Sequence, residues 1–274
     1  MEKKKLYDPV AKRLIYIMRE ATPDMWHELW GLNENNLRTY MAKKDKSVVK
    51  MTARYLKPQD GIVLEGGCGY GGKVNSLMQA GYNVIGLDFD FQTVSFLNKH
   101  KPELNIFLGD VRNLSLADSA VAGYWSIGVI EHFFDGYDDI AREMVRVIRP
   151  GGYLFLVYPH MSLLRKVKAK LGLYPLYRDK GKPKHFYQFA LDHYSVKQKF
   201  TSMGFNLLFF KRASGLLGFN EEVPFGPAFA LRAYRGKNLL IKGLRYMIGK
   251  VLLLFASHVC LMVFQLSESV STNE

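Results

Sequence analysis

Cysteine is scarce in this chain: it has only Cys68 and Cys260, far apart. That excludes a disulfide framework or a cysteine-based zinc site, and it fits a reducing, cytoplasmic setting. Long apolar runs are scarce too. The stretch VLLLFASHVCLMVFQL (Val251–Leu266) is 16 residues without a formal charge. It falls short of the roughly 20 residues a membrane span needs and contains Ser257, His258 and Gln265. We expect a helix to about Phe255 and then a buried strand, HVCLMVFQL, although Lys242, Arg245 and Lys250 upstream would also suit a membrane-surface helix. After MEKKK the only apolar run is LIYIM, too short for the core of a signal peptide. Acidic residues are few, 25 against 38 basic, for a net charge of +13. The excess is uneven: residues 61–159 carry 7 basic and 11 acidic side chains, whereas 160–274 carry 18 and 6. Whatever meets an anionic partner is therefore separate from the acidic middle of the chain.

Glycine is abundant at one place. Residues 64–72 read LEGGCGYGG, and a chain so bare of side chains lets a ligand approach the main chain at the start of a following helix. Gly67, Gly69 and Gly72 fit the spacing of a dinucleotide loop, while Glu65, Gly67, Gly69 and Gly71 fit the acid-led loop of an S-adenosylmethionine site. The carboxylate separates the two, because a pyrophosphate would be repelled by it while the ammonium of S-adenosylmethionine needs acceptors. Around this loop short β-rich runs (IVLE, NVIGLD, NIFLGD, GYWSIGVI, YLFLVYP) alternate with helical patterns, the signature of βαβ units. Asp88 closes the second strand, where its oxygens can take ribose hydroxyls, and Asp110 follows the third. Three acids at successive strand ends converge on one crevice.

In that order and spacing VLEGGCGYGG, NVIGLDFD, FLGDV, SIGVIEHF and IRPGGYL resemble a class I S-adenosylmethionine-dependent methyltransferase, of the broad group that includes ubiquinone-biosynthesis and small-molecule methyltransferases. The resemblance covers about residues 50–160. HFYQFALDHYS, GFNLLFF and HVCLMVF more weakly resemble the family's later helix and final two strands. It implies an α/β, Rossmann-like, seven-stranded and mostly parallel sheet with helices on both faces and the last strand antiparallel. An N-terminal helical cap is expected over 1–58. The cofactor domain is expected over 59–274, with a basic insertion at 160–184 and a further one at 214–257. Carried over by residue, the resemblance makes Glu65, Gly67, Gly69 and Gly71 the loop at the methionine end and Asp88 the ribose ligand. It sets Phe89 beside the adenine, Asp110 and Val111 on its edge, and Ser126 where the fourth strand meets the cofactor, S-adenosyl-L-methionine.

Methyl transfer mainly requires alignment of the acceptor and exclusion of water. Should the acceptor be a hydroxyl, Glu131 and His132 stand at the right strand end to take its proton, and His160, His185 and Tyr187 are further pocket candidates. Trp26 and Trp30, four residues apart, share a helix face and are candidates for a wall of the substrate chamber. Gly128 stands where metal-dependent relatives have a glutamate, so no metal is expected. The function expected is methyl transfer, at oxygen, to a small-molecule acceptor of amphipathic or anionic character such as a lipid, glycan or quinone. A nucleic-acid methylase is disfavoured by the missing N-P-P-Y-like tetrad and Pro-Cys nucleophile, and a dinucleotide oxidoreductase by Glu65 and Asp110. A binding protein without catalysis stays open. In 160–184 eight basic side chains, Lys166, Lys168 and Lys170 among them, face one acid, and Leu163, Leu164, Val167, Leu171 and Leu173 give the first half an apolar face. Peripheral contact with an anionic membrane is expected there.

Overall fold

Leu14, Ile15 and Tyr16 are wholly buried, and they make the N-terminal segment a strand. The computed structural model describes residues 4–31, 33–178, 181–223 and 239–268, with side chains at all of these except Trp30 and 239–246. β1 (Lys4–Asp8) and β2 (Arg13–Ile17) form an antiparallel hairpin, in whose turn the Asp8 carboxylate accepts from the N–H groups of Val10 and Ala11. The expectation of a helical cap over 1–58 is corrected at its start. Ile15 packs into the main core while Leu14 and Tyr16 pack the other way, against Met161, Tyr174 and Ala190. Opposite faces for successive residues are what a strand provides. Helices follow: α1 (Pro23–Trp30), α2 (Glu34–Ala42) and α3 (Lys46–Thr52), each opened by a side-chain cap from Thr22, Asn33 or Asp45.

Strands and helices then alternate as β3 (Val63–Gly66), α4 (Gly72–Met78), β4 (Val84–Asp88), α5 (Phe91–His100), β5 (Ile106–Leu108), β6 (Val121–Ile127), α6 (Asp138–Val147) and β7 (Ile148–Pro159). After them come α7 (Leu163–Lys170), β8 (Phe186–Ala190), α8 (His193–Ser202), β9 (Phe205–Ala213), α9 (Gly215–Glu222), α10 (Leu239–Phe255) and β10 (Val259–Leu266). Seven strands lie side by side in the order β5-β4-β3-β6-β7-β10-β9, and β10 runs antiparallel to both of its neighbours. This is the Rossmann-like sheet expected. Its two faces carry separate cores, as alternation along a strand requires. Leu64, Tyr124, Leu154 and Phe264 pack with α6 and α8, whereas Val63, Trp125, Phe155 and Val263 pack with α2, α4 and α5.

HFYQFALDHYS is a helix only from His193. Its first half, β8, pairs with β2 in a three-stranded sheet of order β1-β2-β8, because Phe186 and Phe189 both bury in the main core. The uncharged run divides as expected: α10 ends at Phe255 and β10 begins at Val259. Among the described residues no helix is long and apolar enough to cross a membrane.

The basic segment 160–184 is not a uniformly solvated face. Arg165 is fully buried, its Nε donating to Glu222 Oε1 at 3.0 Å and its Nη1 to the His160 carbonyl at 2.7 Å. Lys168 donates to Glu222 Oε2 at 3.1 Å, and Lys166 to Asp192 Oδ1 at 2.7 Å. Lys5 and Tyr174 complete the shell around Glu222, at 2.6 Å each. Three of the cations expected to face an anionic partner therefore have carboxylate partners inside the protein. Of the three lysines singled out, only Lys170 is exposed.

Candidate functional site

The loop after β3 is held by the strand beside it. Gly67 and Cys68 N–H both donate to the Leu87 carbonyl (2.7 and 3.0 Å), and Gly69 N–H donates to Asp88 Oδ2 (2.8 Å). Gly67 has φ +74, and a Cβ there would lie 2.6 Å from Val129 Cγ2, so neither the conformation nor the space admits a side chain. The resulting bare loop borders a cavity of about 510 Å³ at the carboxyl ends of β3, β4, β6 and β7.

Glu65 sits at the bottom of this cavity, 2% exposed, and its Oε2 has no hydrogen-bond partner. Burial pushes its carboxyl up to about 7, and Lys73 and the Val74 N–H at the start of α4 offset this only in part. A buried carboxylate at a cavity wall, with one oxygen lacking a donor, suits a cationic ligand. The ammonium of S-adenosylmethionine fits that demand. Asp88 is already anchored, accepting from Gly69 N–H and, at Oδ1, from Asp90 N–H at 3.0 Å. Burial raises its carboxyl and these amides oppose the rise. Its remaining lone pairs are the ones left for a ribose.

Phe89, Asp110 and Val111 also line the cavity. Phe89 is 47% exposed, an apolar ring at the rim that a ligand would cover. Asp110 is held by Arg112, whose Nη2 donates to Oδ2 at 2.6 Å and whose Nε lies 3.0 Å from each oxygen, and this bonding keeps the carboxyl below its usual range. Two loop and strand candidates do not reach the cavity. Gly71 has its φ of +69 as the N-cap of α4, with Ile106 2.6 Å from where a Cβ would stand. Ser126 is buried within β6, and the residues after it, Ile127 to Val129, form the wall.

The far end of the cavity is aromatic. His132, Trp26 and Tyr187 meet there, with the His132 ring edge-on to both others at 5.2 Å. His132 Nδ1 lies 2.8 Å from the Tyr187 carbonyl. Because a carbonyl only accepts, Nδ1 carries the proton and Nε2 is left bare. Burial lowers this imidazole to about 4, so it is neutral at pH 7. Glu131 beside it is buried with Oε2 unpartnered, and burial pushes it up to about 8.

The other imidazole candidates lie elsewhere. His160 is buried behind Pro159, bonded through Nε2 to Ser257 Oγ at 2.8 Å, because β7 ends one residue before it and the chain turns towards α7. His185 is outside the cavity lining, in a left-handed conformation (φ +61), with its carbonyl accepting from Met18 N–H. The Trp30 side chain lies outside the described residues.

Lys73, Arg112, Gln188 and His258 line the cavity without having been singled out in the sequence. Lys73 was findable as the only cation within the glycine loop's helix start. His258 was not, since it reaches the cavity through the reversed β10. Its Nδ1 lies 2.9 Å from Arg165 Nη2 and 3.3 Å from Glu221 Oε2.

Residues 64–156 match the family model described as a methyltransferase domain. A protein of Mycolicibacterium smegmatis named a probable S-adenosylmethionine-dependent methyltransferase is 33% identical over 130 residues, covering 47% of this chain and 48% of that one. A malonyl-[acyl-carrier protein] O-methyltransferase of Pectobacterium atrosepticum is 33% identical over 92 residues, covering 34% and 36%. Among solved structures, an S-adenosylmethionine-dependent methyltransferase from Archaeoglobus fulgidus superimposes with a TM-score of 0.51 at 14% identity, over 88% of this chain and 98% of that one. The fold is that of the Archaeoglobus structure, and the matched segment, residues 64–156, is similar to S-adenosylmethionine-dependent methyltransferases. The alignment with the Mycolicibacterium relative spans about half of that relative's length.

Proposed function

We propose that this chain transfers a methyl group from S-adenosyl-L-methionine to an oxygen of a small-molecule acceptor of amphipathic or anionic character. The observation that carries the reading is Glu65, a buried carboxylate with one unpartnered oxygen that lines a cavity bordered by a bare glycine loop. Glu65, Gly67 and Gly69 would hold the amino-acid end of the cofactor, Asp88 the ribose, and Phe89, Asp110 and Val111 the adenine. When bound, the cofactor supplies an electrophilic methyl group. The chain's own residues position the acceptor, exclude water and take its proton. Trp26 and Tyr187 wall the acceptor end, and His132 Nε2 is the bare acceptor for a hydroxyl proton. The O-methyl transfer in the name of the Pectobacterium relative supports oxygen as the target. A nucleic-acid acceptor is disfavoured: the cavity end is lined by the aromatic rings of Trp26, His132 and Tyr187, and Arg165, Lys166 and Lys168 on α7 are paired with carboxylates.

Labelled S-adenosylmethionine, incubated with the protein and with extracts fractionated into lipid, glycan, small-molecule and nucleic-acid pools, tests the class. Label in the nucleic-acid pool alone refutes the reading, and cofactor binding without label in any pool leaves a binding protein. The base is identified by pH. Turnover through His132 should be level from about pH 5 upward, because the imidazole is deprotonated above about 4, whereas turnover through Glu131 should climb to about pH 8. Alanine at the residue that acts should lower turnover by about 10²–10⁴ with little change in cofactor affinity, and unchanged turnover in both variants removes them from the mechanism.

A further inference from the structure

We propose that the outer faces of α7 and α10 dock the protein on an anionic lipid bilayer. On α10 the exposed apolar residues are Met247, Val251 and Leu254, each more than 60% accessible. Their spacing of four and three residues sets them in one stripe. On α7, Leu163, Val167 and the following Leu171 form a second stripe, also exposed. The two helices touch each other, so the apolar stripes belong to neighbouring elements. Isolated exposed leucines need no explanation, but two adjacent stripes that are exposed among the described residues do.

Charge selects the occupant. α10 holds Lys242, Arg245 and Lys250 and no acid, and no acidic residue occurs anywhere between Glu222 and Glu268. Lys170 is exposed within the α7 stripe, and it also borders a recess of about 330 Å³ with Lys12 and the Asp192-paired Lys166, a place for a phosphate headgroup. A second copy of the chain would meet the first with like charge, whereas an anionic surface is matched to the net charge of +13 and to the exposed Lys170. α10 is 17 residues long and carries three charges, which suits lying in the interface rather than crossing it.

Both helices leave from the cavity rim. α7 starts four residues after Pro159 and α10 ends three before His258, and both of those residues line the cavity. Docking would bring the cavity close to the lipid phase, from which an amphipathic acceptor could enter. The docking itself does not rest on methyl transfer.

Co-sedimentation of the full chain with phosphatidylglycerol–phosphatidylcholine vesicles, beside pure phosphatidylcholine, at low and high salt tests this. Binding is expected to the anionic vesicles only, and to fall with salt. The pairs Val251→Glu with Leu254→Glu, and Leu163→Glu with Val167→Glu, lie at exposed positions. Each should weaken vesicle partition by at least about tenfold, with melting temperature and S-adenosylhomocysteine binding unchanged. Wild-type protein that stays in the supernatant at low salt, or variants that sediment like wild type, overturn the proposal. So does a concentration-dependent dimer, seen by light scattering and abolished by Leu254→Glu, without vesicle binding. Normal product binding in any of these cases leaves the cofactor assignment standing.

Discussion

Glu65→Gln is expected to make the free protein more stable and to bind S-adenosylhomocysteine less well. The two effects have one origin. Burial raises the Glu65 carboxyl from its ordinary value of 4.5 to about 7, so the folded state holds the proton more tightly than the unfolded chain does. For a raised acid the stability contribution is lost as pH rises from 4.5 through about 7, and at pH 8 the ionised group costs about 3 kcal/mol. Glutamine has the same shape without the charge and removes that cost. The carboxylate is also the acceptor for the ligand's ammonium, and a charge-assisted bond of this type contributes about 1.5–3 kcal/mol, roughly 10- to 100-fold in affinity. Melting curves from pH 5 to 8 should show the wild-type free protein losing ground to the variant as pH rises, and calorimetry should show the reverse ranking for ligand. A variant that binds as tightly as wild type would remove Glu65 from the site.

Glu222→Gln should be the most damaging substitution outside the cavity. Its carboxylate accepts from Arg165, Lys5, Lys168 and Tyr174, and Arg165 has no solvent exposure to retreat into. Removing one member of a buried ion pair costs about 3–5 kcal/mol because the other is left uncompensated, and that corresponds to a fall in melting temperature of roughly 6–20 °C. Arg165→Met combined with Glu222→Leu should cost less than the single change, since Lys5 and Lys168 lie near enough to the surface to turn outward. Burial opposes ionisation of Glu222, but Lys5 and Arg165 outweigh it and hold the carboxyl at about 2. For a depressed acid the contribution is full above about 4.5 and lost as pH falls towards 2, so the single variant and wild type should converge in acid. Equal melting temperatures at pH 7 would contradict the network.

The same carboxylate marks where sequence reading stopped. Arg165, Lys166 and Lys168 read as a basic face for an anionic partner because their carboxylate partners, Glu222 and Asp192, are distant in sequence and only the fold brings them together. The parallel strands were legible, since β3 to β6 are short apolar runs that end at or just before glycine or aspartate and β7 is an apolar run stopped by Pro159, and so was the crevice defined by Glu65 and Asp88. β2 and β8 were not, because RLIYI and FYQFA acquire their strand character from pairing with each other. His132 could be placed at a strand tip from SIGVIEHF, but its tautomer depends on the Tyr187 carbonyl, which only the small sheet brings within 2.8 Å. His160 shows the converse. Adjacent to the cavity in sequence, it turns into the interior to meet Ser257.

Calorimetric titration of the purified chain with S-adenosylhomocysteine and, separately, with NAD tests the central claim most directly. The strand-end acids and the unpartnered Glu65 oxygen lead us to expect S-adenosylhomocysteine to bind at one site, at least about tenfold more tightly than NAD, and to weaken when Asp88 becomes alanine. Tighter binding of NAD, or full affinity for S-adenosylhomocysteine in the Asp88→Ala protein, would contradict it.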